Sequence, residues 1–166
     1  ISFFLSLLVT LPCFGQKVPV KFGKLSQEEI ELTTYKNADA VILCDYGTIQ
    51  LDAKTGFLYL YRFRHLRIKI LNKEGLRFAR QSIPFYDLKA ADYFRSNKTY
   101  ELKAQTINIH SDGKIIKSRL KGKNIRVGKP DESYNNLLEL EFPDVQVGSI
   151  VEYELNIPTI EVVNPD

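Results

Sequence analysis

The chain has 166 residues, 44% of them hydrophobic and 26% charged, with Gly 9 and Pro 7. This is the composition of about one globular domain, and it excludes collagen-like, low-complexity and wholly disordered chains. Two Cys are too few for a disulfide scaffold or a four-Cys zinc site, and a net charge of +3 is too small to imply a nucleic-acid partner without a localised patch.

Met is absent, so the chain is expected to be a fragment without its natural start. Residues 3–11 are almost wholly apolar and uncharged, and Pro12 breaks any helix after them. Small residues at Cys13 and Gly15 suit signal-peptidase cleavage between Gly15 and Gln16. The apolar run is far below the ~18 residues that span a bilayer. Two alternatives are a buried N-terminal strand and a lipoprotein acylated on Cys13, against which the adjacent Pro12 argues. The expectation is a signal peptide over 1–15, truncated at its start, and a periplasmic or secreted protein that meets the membrane only during export. Cys44 is then the only Cys left, and no intrachain disulfide can form.

Residues 16–37 read as a short helix and linker. Ser26-Gln27-Glu28-Glu29 has the pattern of a capping box, which predicts a helix over about 27–33; Thr33-Thr34 weakens its end. From Ala40 the hydrophobic pattern changes to period two. Val41, Leu43, Ile49 and Leu51 predict a strand pair or one long strand, and Lys54-Thr55-Gly56 a turn. Residues 57–71 run without Gly or Pro, but their alternation changes phase. Phe57, Tyr59, Tyr61 and Phe63 are apolar at odd positions; Leu66, Ile68 and Ile70 at even ones. A bulge near Arg62–His65, or a passage between sheets, is expected there.

Asn72-Lys73-Glu74-Gly75 is the next turn, and residues 87–95 have room for a helical turn. A second phase change is expected near Thr106, between Tyr100, Leu102, Ala104 and Ile107, Ile109. Ser111-Asp112-Gly113-Lys114 signals a hairpin with a type I′ turn, and Ile115-Ile116 begin the return strand. Residues 128–136 read as a polar loop. Leu138, Leu140 and Phe142 alternate with Glu139 and Glu141; after Pro143-Asp144, Val151, Tyr153, Leu155 and Ile157 alternate with Glu152, Glu154 and Asn156. The expected fold is all-β: an antiparallel β-sandwich over 38–160 with one short N-terminal helix. Residues 161–166 read as the start of a linker to a missing downstream domain.

Four segments carry a family resemblance: Ala38-Asp39-Ala40-Val41-Ile42-Leu43; Arg64 to Leu76 (RHLRIKILNKEGL); Asp112-Gly113-Lys114-Ile115-Ile116; and Phe142 to Tyr153 (FPDVQVGSIVEY). Their order and spacing, from about 25 to 160, resemble a bacterial domain of unknown function that sits N-terminal to a transglutaminase-like domain in secreted proteins. The resemblance implies a β-rich sandwich, a signal peptide and a multidomain parent. It supplies no activity for this domain. The Cys-His-Asp set of such parents belongs to the following domain, so no catalytic residue carries over.

Tested for chemistry, the residues offer little. Cys44, His65 and Asp45 are the only ingredients of a thiol triad, which needs the imidazole within reach of the thiol; Cys44 reads instead as a small buried residue. His65 lies among Arg62, Arg64 and Arg67, which would hold it neutral, and reads as a packed side chain or a pH reporter. His110 reads as solvated. Two distant His without clustered carboxylates make no metal site, and no cofactor motif is present. The pairs Glu139/Glu141 and Glu152/Glu154 point the same way and are spaced to flank a sugar, although a solvated sheet face explains them.

Tyr59, Tyr61 and Phe63 suit a glycan platform or, more simply, a core stripe. Asn97-Lys98-Thr99 matches a glycosylation sequon. Lys114, Lys117, Arg119, Lys121, Lys123, Arg126 and Lys129 form a basic run with no intervening acid or aromatic. It reads as a solvated hairpin arm or a binding patch for a peptide or cell-surface glycan, not for nucleic acid. The expected role is therefore a non-catalytic extracytoplasmic accessory domain of a transglutaminase-like parent, partnered by that parent's catalytic domain. The alternative is an independent peptide- or carbohydrate-binding module.

Overall fold

The structure is a computed structural model and describes residues 20–54, 57–85, 100–128 and 136–161. Among the described residues one α-helix, α1 (Gln27–Glu31), precedes β1 (Ala40–Lys54), β2 (Phe57–Ile70), β3 (Arg80–Phe85), β4 (Glu101–Ile109), β5 (Ile115–Arg119), β6 (Ile125–Gly128), β7 (Asn136–Glu141) and β8 (Ile150–Glu161), with short 3-10 helices at Glu74–Ala79 and Gly122–Asn124. All the pairings are antiparallel, in two sheets ordered β1-β2-β8-β4-β5 and β3-β7-β6. The chain is thus an all-β sandwich with a short N-terminal helix.

The capping box forms as its residue types dictate. Ser26 Oγ accepts from the Glu29 amide at 3.2 Å, and Glu29 Oε2 accepts from the Ser26 amide at 2.7 Å. The helix stops at Glu31, two residues short of the expected end, and Leu32 is already extended. The Thr33-Thr34 pair gives the backbone little reason to continue.

β1 is one long strand, with an irregularity between Ile42 and Cys44. The bulge expected near Arg62–His65 is absent. β2 pairs with β8 without interruption from Leu58 opposite Glu161 to Lys69 opposite Ile150. Directly paired residues share a face, so Leu66 and Ile68 lie with Tyr153 and Val151 on the core side, and His65, Arg67 and Lys69 lie on the other. Both sets are buried. The phase change in the sequence therefore records no slip of backbone. The odd face stays in place and changes character, from aromatic through Phe63 to polar from His65 onward.

The change near Thr106 has a similar origin. β4 pairs continuously with β8 and β5. Its polar even positions meet the β7–β8 connection: Thr106 Oγ1 donates to the Pro143 carbonyl at 2.6 Å and Asn108 Nδ2 to that of Asp144 at 2.9 Å.

The hairpin at Asp112-Gly113 forms, but not as a type I′ turn. The Gly113 amide donates to the His110 carbonyl at 2.9 Å, and the His110 amide to the Lys114 carbonyl at 2.9 Å. Gly113 has φ +80° while Asp112 is not left-handed. This is a three-residue loop, a type I turn closed by a left-handed glycine. Asp112 Oδ1 supports it by accepting from the Lys114 amide at 2.9 Å.

The main core lies between the sheets. Leu66, Ile68, Ile70, Ala104, Val151, Tyr153, Leu155 and Ile157 meet Leu138, Leu140 and Phe142 from the small sheet. The exposed Glu139 confirms the alternation read for β7. Among the described residues no helix is long and apolar enough to cross a membrane. The apolar start, the helical turn expected at 87–95, the sequon, and residues 55–56 and 129–135 of the expected turn and polar loop lie outside the described residues.

Leu138 is wholly buried at the centre of β7. Leu138→Ala is expected to destabilise the domain by about 2–5 kcal/mol, whereas Ile49→Ala, on an exposed stretch of β1, should change stability by less than about 0.5 kcal/mol. Urea unfolding of the two variants checks the contrast.

Candidate functional site

The register of the large sheet lines up polar side chains on the face away from the core. One row runs Cys44, Arg67, Glu152, Gln105, Arg119 across all five strands; the next runs Tyr46, His65, Glu154, Lys103. Residues 20–31 lie over these rows as a strap. Under it Arg67, His65 and Glu152 are each 0% exposed.

Glu152 is the hub. Its Oε1 accepts from Arg67 Nε at 3.0 Å, from Arg67 Nη2 in a very short contact, and from His65 Nε2 at 2.9 Å. Its Oε2 accepts from Gln105 Nε2 at 2.7 Å and from the Gly23 amide at 2.9 Å. Arg67 spends its remaining donors on the strap: Nη1 reaches Glu29 Oε1 at 2.6 Å and Nη2 the Lys21 carbonyl at 3.1 Å. Burial pulls the Arg67 pKa down, but the hydrogen bonds and charges of Glu152 and Glu29 outweigh it, and the net shift is upward. Burial raises the Glu29 carboxyl, yet the Ser26 amide and the Arg67 guanidinium hold it below the usual range.

Lys69 completes the floor. Its ammonium donates to the carbonyls of Glu29 at 2.6 Å and Ile30 at 2.8 Å, groups left open by the end of α1. Burial lowers the Lys69 pKa against the pull of Glu29. On β5, Lys117 Nζ donates to the Gly23 carbonyl at 2.5 Å. His65 Nδ1 is buried without a hydrogen bond, 3.9 Å from Glu154 Oε1, and Phe22 lies beside its ring.

The thiol ingredients do not converge. Cys44 Sγ donates to the His65 carbonyl at 3.8 Å, not to its ring, and burial raises the thiol pKa. Asp45 faces the opposite side and is held by Arg64 Nε and Nη2, each at 2.8 Å. Of the three Arg expected around His65, only Arg67 shares its face, because alternation sends Arg62 and Arg64 to the other side. The reading of Glu152 and Glu154 as a solvated pair is overturned. Glu152 is buried, and Glu154 is largely covered and bonded to Lys103 Nζ at 2.9 Å, because the strap takes the place of water.

Among the described residues no group of three or more His, Cys, Asp or Glu is arranged to hold a metal ion. Tyr61 and Phe63 are part-buried, Phe63 edge-on to Tyr46. His110 is exposed. The basic run follows the edges of the two sheets: Lys114 precedes β5, Lys117 and Arg119 lie on it, Lys121 and Lys123 lie in the connection, and Arg126 lies on β6. Lys129 lies outside the described residues. Lys117 is exposed but bonded through its ammonium to the strap, and Arg126 stands 4.0 Å from Glu141.

Sequence reasoning missed the ionic floor because a buried charged row and a solvated one look the same. One signal was available. Arg67 and Lys69 alternate with the apolar Leu66, Ile68 and Ile70, and a helix with its own capping box lies upstream, free to cover them.

Two outcomes are expected. Glu152→Gln keeps the shape but removes the charge facing buried Arg67, and should cost on the order of 3–5 kcal/mol in urea unfolding at neutral pH. The depressed Glu29 carboxyl contributes stability above its unfolded pKa that is lost as pH falls through its lower folded value. Glu29→Gln should therefore flatten part of the acid limb of a stability–pH curve below about pH 4.5.

A protein-family model described as a domain of unknown function with solved structure (DUF3857) matches residues 60–164. No curated protein matches the chain. Among solved structures the chain is similar to a "putative protease" from Parabacteroides distasonis, at 11% identity and a TM-score of 0.45. That match covers 64% of this chain and 21% of the other, and a likeness so slight carries no argument. The family match takes in more than half of the chain, which belongs to this domain-of-unknown-function family. The matched stretch starts within β2, so the strap and β1 lie before it.

Proposed function

We propose that this domain is a non-catalytic, extracytoplasmic accessory domain of a larger parent whose chemistry resides in a transglutaminase-like unit. One observation carries the reading. Among the described residues the three ingredients of a thiol triad are each committed elsewhere: the Cys44 thiol to a backbone carbonyl, the His65 Nε2 to Glu152, and Asp45 to Arg64 on the opposite face. A nucleophile needs its base within hydrogen-bond reach, which supports a reading in which the parent's acyl transfer uses residues outside this domain. The family resemblance read from the sequence supplies the partner and the compartment.

A second reading, a binding module for a peptide or cell-surface glycan, draws on the basic edges. Among the described residues Lys114, Arg119, Lys121 and Lys123 are exposed and make no ion pair. Unpaired exposed cations attract an acidic partner at low salt and release it as salt screens them.

The test assays this chain, and the parent with and without it, for amine transfer and amide hydrolysis. The chain alone should be inactive, and its removal should change the parent's rate or substrate range. Activity in the isolated chain that Cys44→Ala abolishes would falsify the accessory role. In the second reading, Lys121→Glu with Lys123→Glu should weaken retention on acidic glycans about tenfold or more, and retention indifferent to salt counts against it.

A further inference from the structure

The floor reads the strap chiefly through its main chain. Glu152 takes the Gly23 amide, Lys117 the Gly23 carbonyl, Arg67 the Lys21 carbonyl, and Lys69 the carbonyls of Glu29 and Ile30. The one charged side chain of the strap engaged by the floor is Glu29, on Arg67. This is how a protein holds a peptide ligand: fixed donors and acceptors along its backbone, with a few side chains setting specificity.

Two requirements on the ligand follow. Gly23 has φ +71°, and a Cβ there would sit 2.9 Å from Gln105 Nε2 and 3.2 Å from Lys117 Nζ, so any other residue strains the backbone and displaces the tips of two side chains that grip the strap. Six residues on, the ligand needs a carboxylate that both caps its helical turn and meets Arg67.

The link from strap to sandwich looks like a hinge. Residues 33–37 are all exposed, and Lys36 and Asn37 are consecutive non-glycine residues in the left-handed region, at φ 41° and 60°. Such residues are uncommon there, so an extended link relieves strain. A short strained hinge beside a complete binding site is the arrangement from which identical segments exchange between chains.

We propose that the ionic floor is a peptide-binding site, filled here in cis by residues 20–31, and that its exchangeable ligand is the same segment of a second copy of this chain. The site distinguishes that segment by Gly23 and Glu29. This proposal stands apart from whatever the parent catalyses.

The test uses the full chain with a sequence-specific protease site placed between Thr33 and Asn37. After cleavage at neutral pH the strap should stay with the sandwich through size exclusion. A dye-labelled peptide of residues 20–33 should then replace it, read by fluorescence anisotropy. Peptides carrying Gly23→Ala or Glu29→Gln should bind at least about tenfold more weakly, and a scrambled peptide should not bind. Three results overturn the proposal: unfolding of the sandwich on cleavage by near-UV circular dichroism, a folded nicked sandwich that takes up no labelled peptide, or equal binding of the Gly23→Ala peptide.

Discussion

A carboxylate and a guanidinium taken out of water together must find all their hydrogen bonds inside the protein, or the burial costs several kcal/mol per ion. Glu152 and Arg67 meet that condition only with help from two strands, a glutamine and the strap. Attraction between the pair does not by itself make such a site stabilising relative to an apolar one. What it does is penalise every other arrangement. A one-residue slip of β2 against β8 would drive Arg67, Lys69 and His65 into the core among Leu138 and Leu140, and turn Leu66 and Ile68 under the strap.

The large sheet is therefore buried on two sides by different physics. Its core face is held by the non-directional packing of aliphatic side chains against the small sheet. Its other face is held by directed bonds to a short peptide segment. The capping box links the two levels: Glu29 closes the first turn of α1 with one oxygen and meets Arg67 with the other. A local helix signal and a tertiary anchor thus share a single carboxylate. Apolar support is present on this side too, since Ile107 and Ile150 pair with each other in the row beside the ionic one, and both are fully buried.

That division frames the functional reading. Most of the buried titratable groups satisfy one another under the strap, while the unpaired exposed cations Lys114, Arg119, Lys121 and Lys123 lie along the edges of the two sheets. In the accessory role proposed above, this network holds and positions, whereas bond-making needs a group poised between protonation states and open to substrate. The proposed partner surfaces are the basic edges and the strap site.

The sequence by itself determined the elements whose signals are local. The capping box needs only Ser26 and Glu29; the β4–β5 hairpin needs only Asp112-Gly113; β7 and β8 declare themselves by strict alternation. Each depends on residues a few positions apart, where side-chain geometry and backbone preference suffice. The sequence also pointed to the sandwich, because many strands and one short helix leave few ways to bury both sheets. Tertiary structure decided what the alternation meant. Arg67, Lys69 and Glu152 have the pattern of a wet face, and no local rule distinguishes water from a covering segment 38 residues upstream, as Glu29 is from Arg67. The bulge expected in β2 failed for the same reason: a change of phase in hydrophobicity records a change in what lies opposite, and only the packed structure says whether that is a slipped register or a buried charge with its partner.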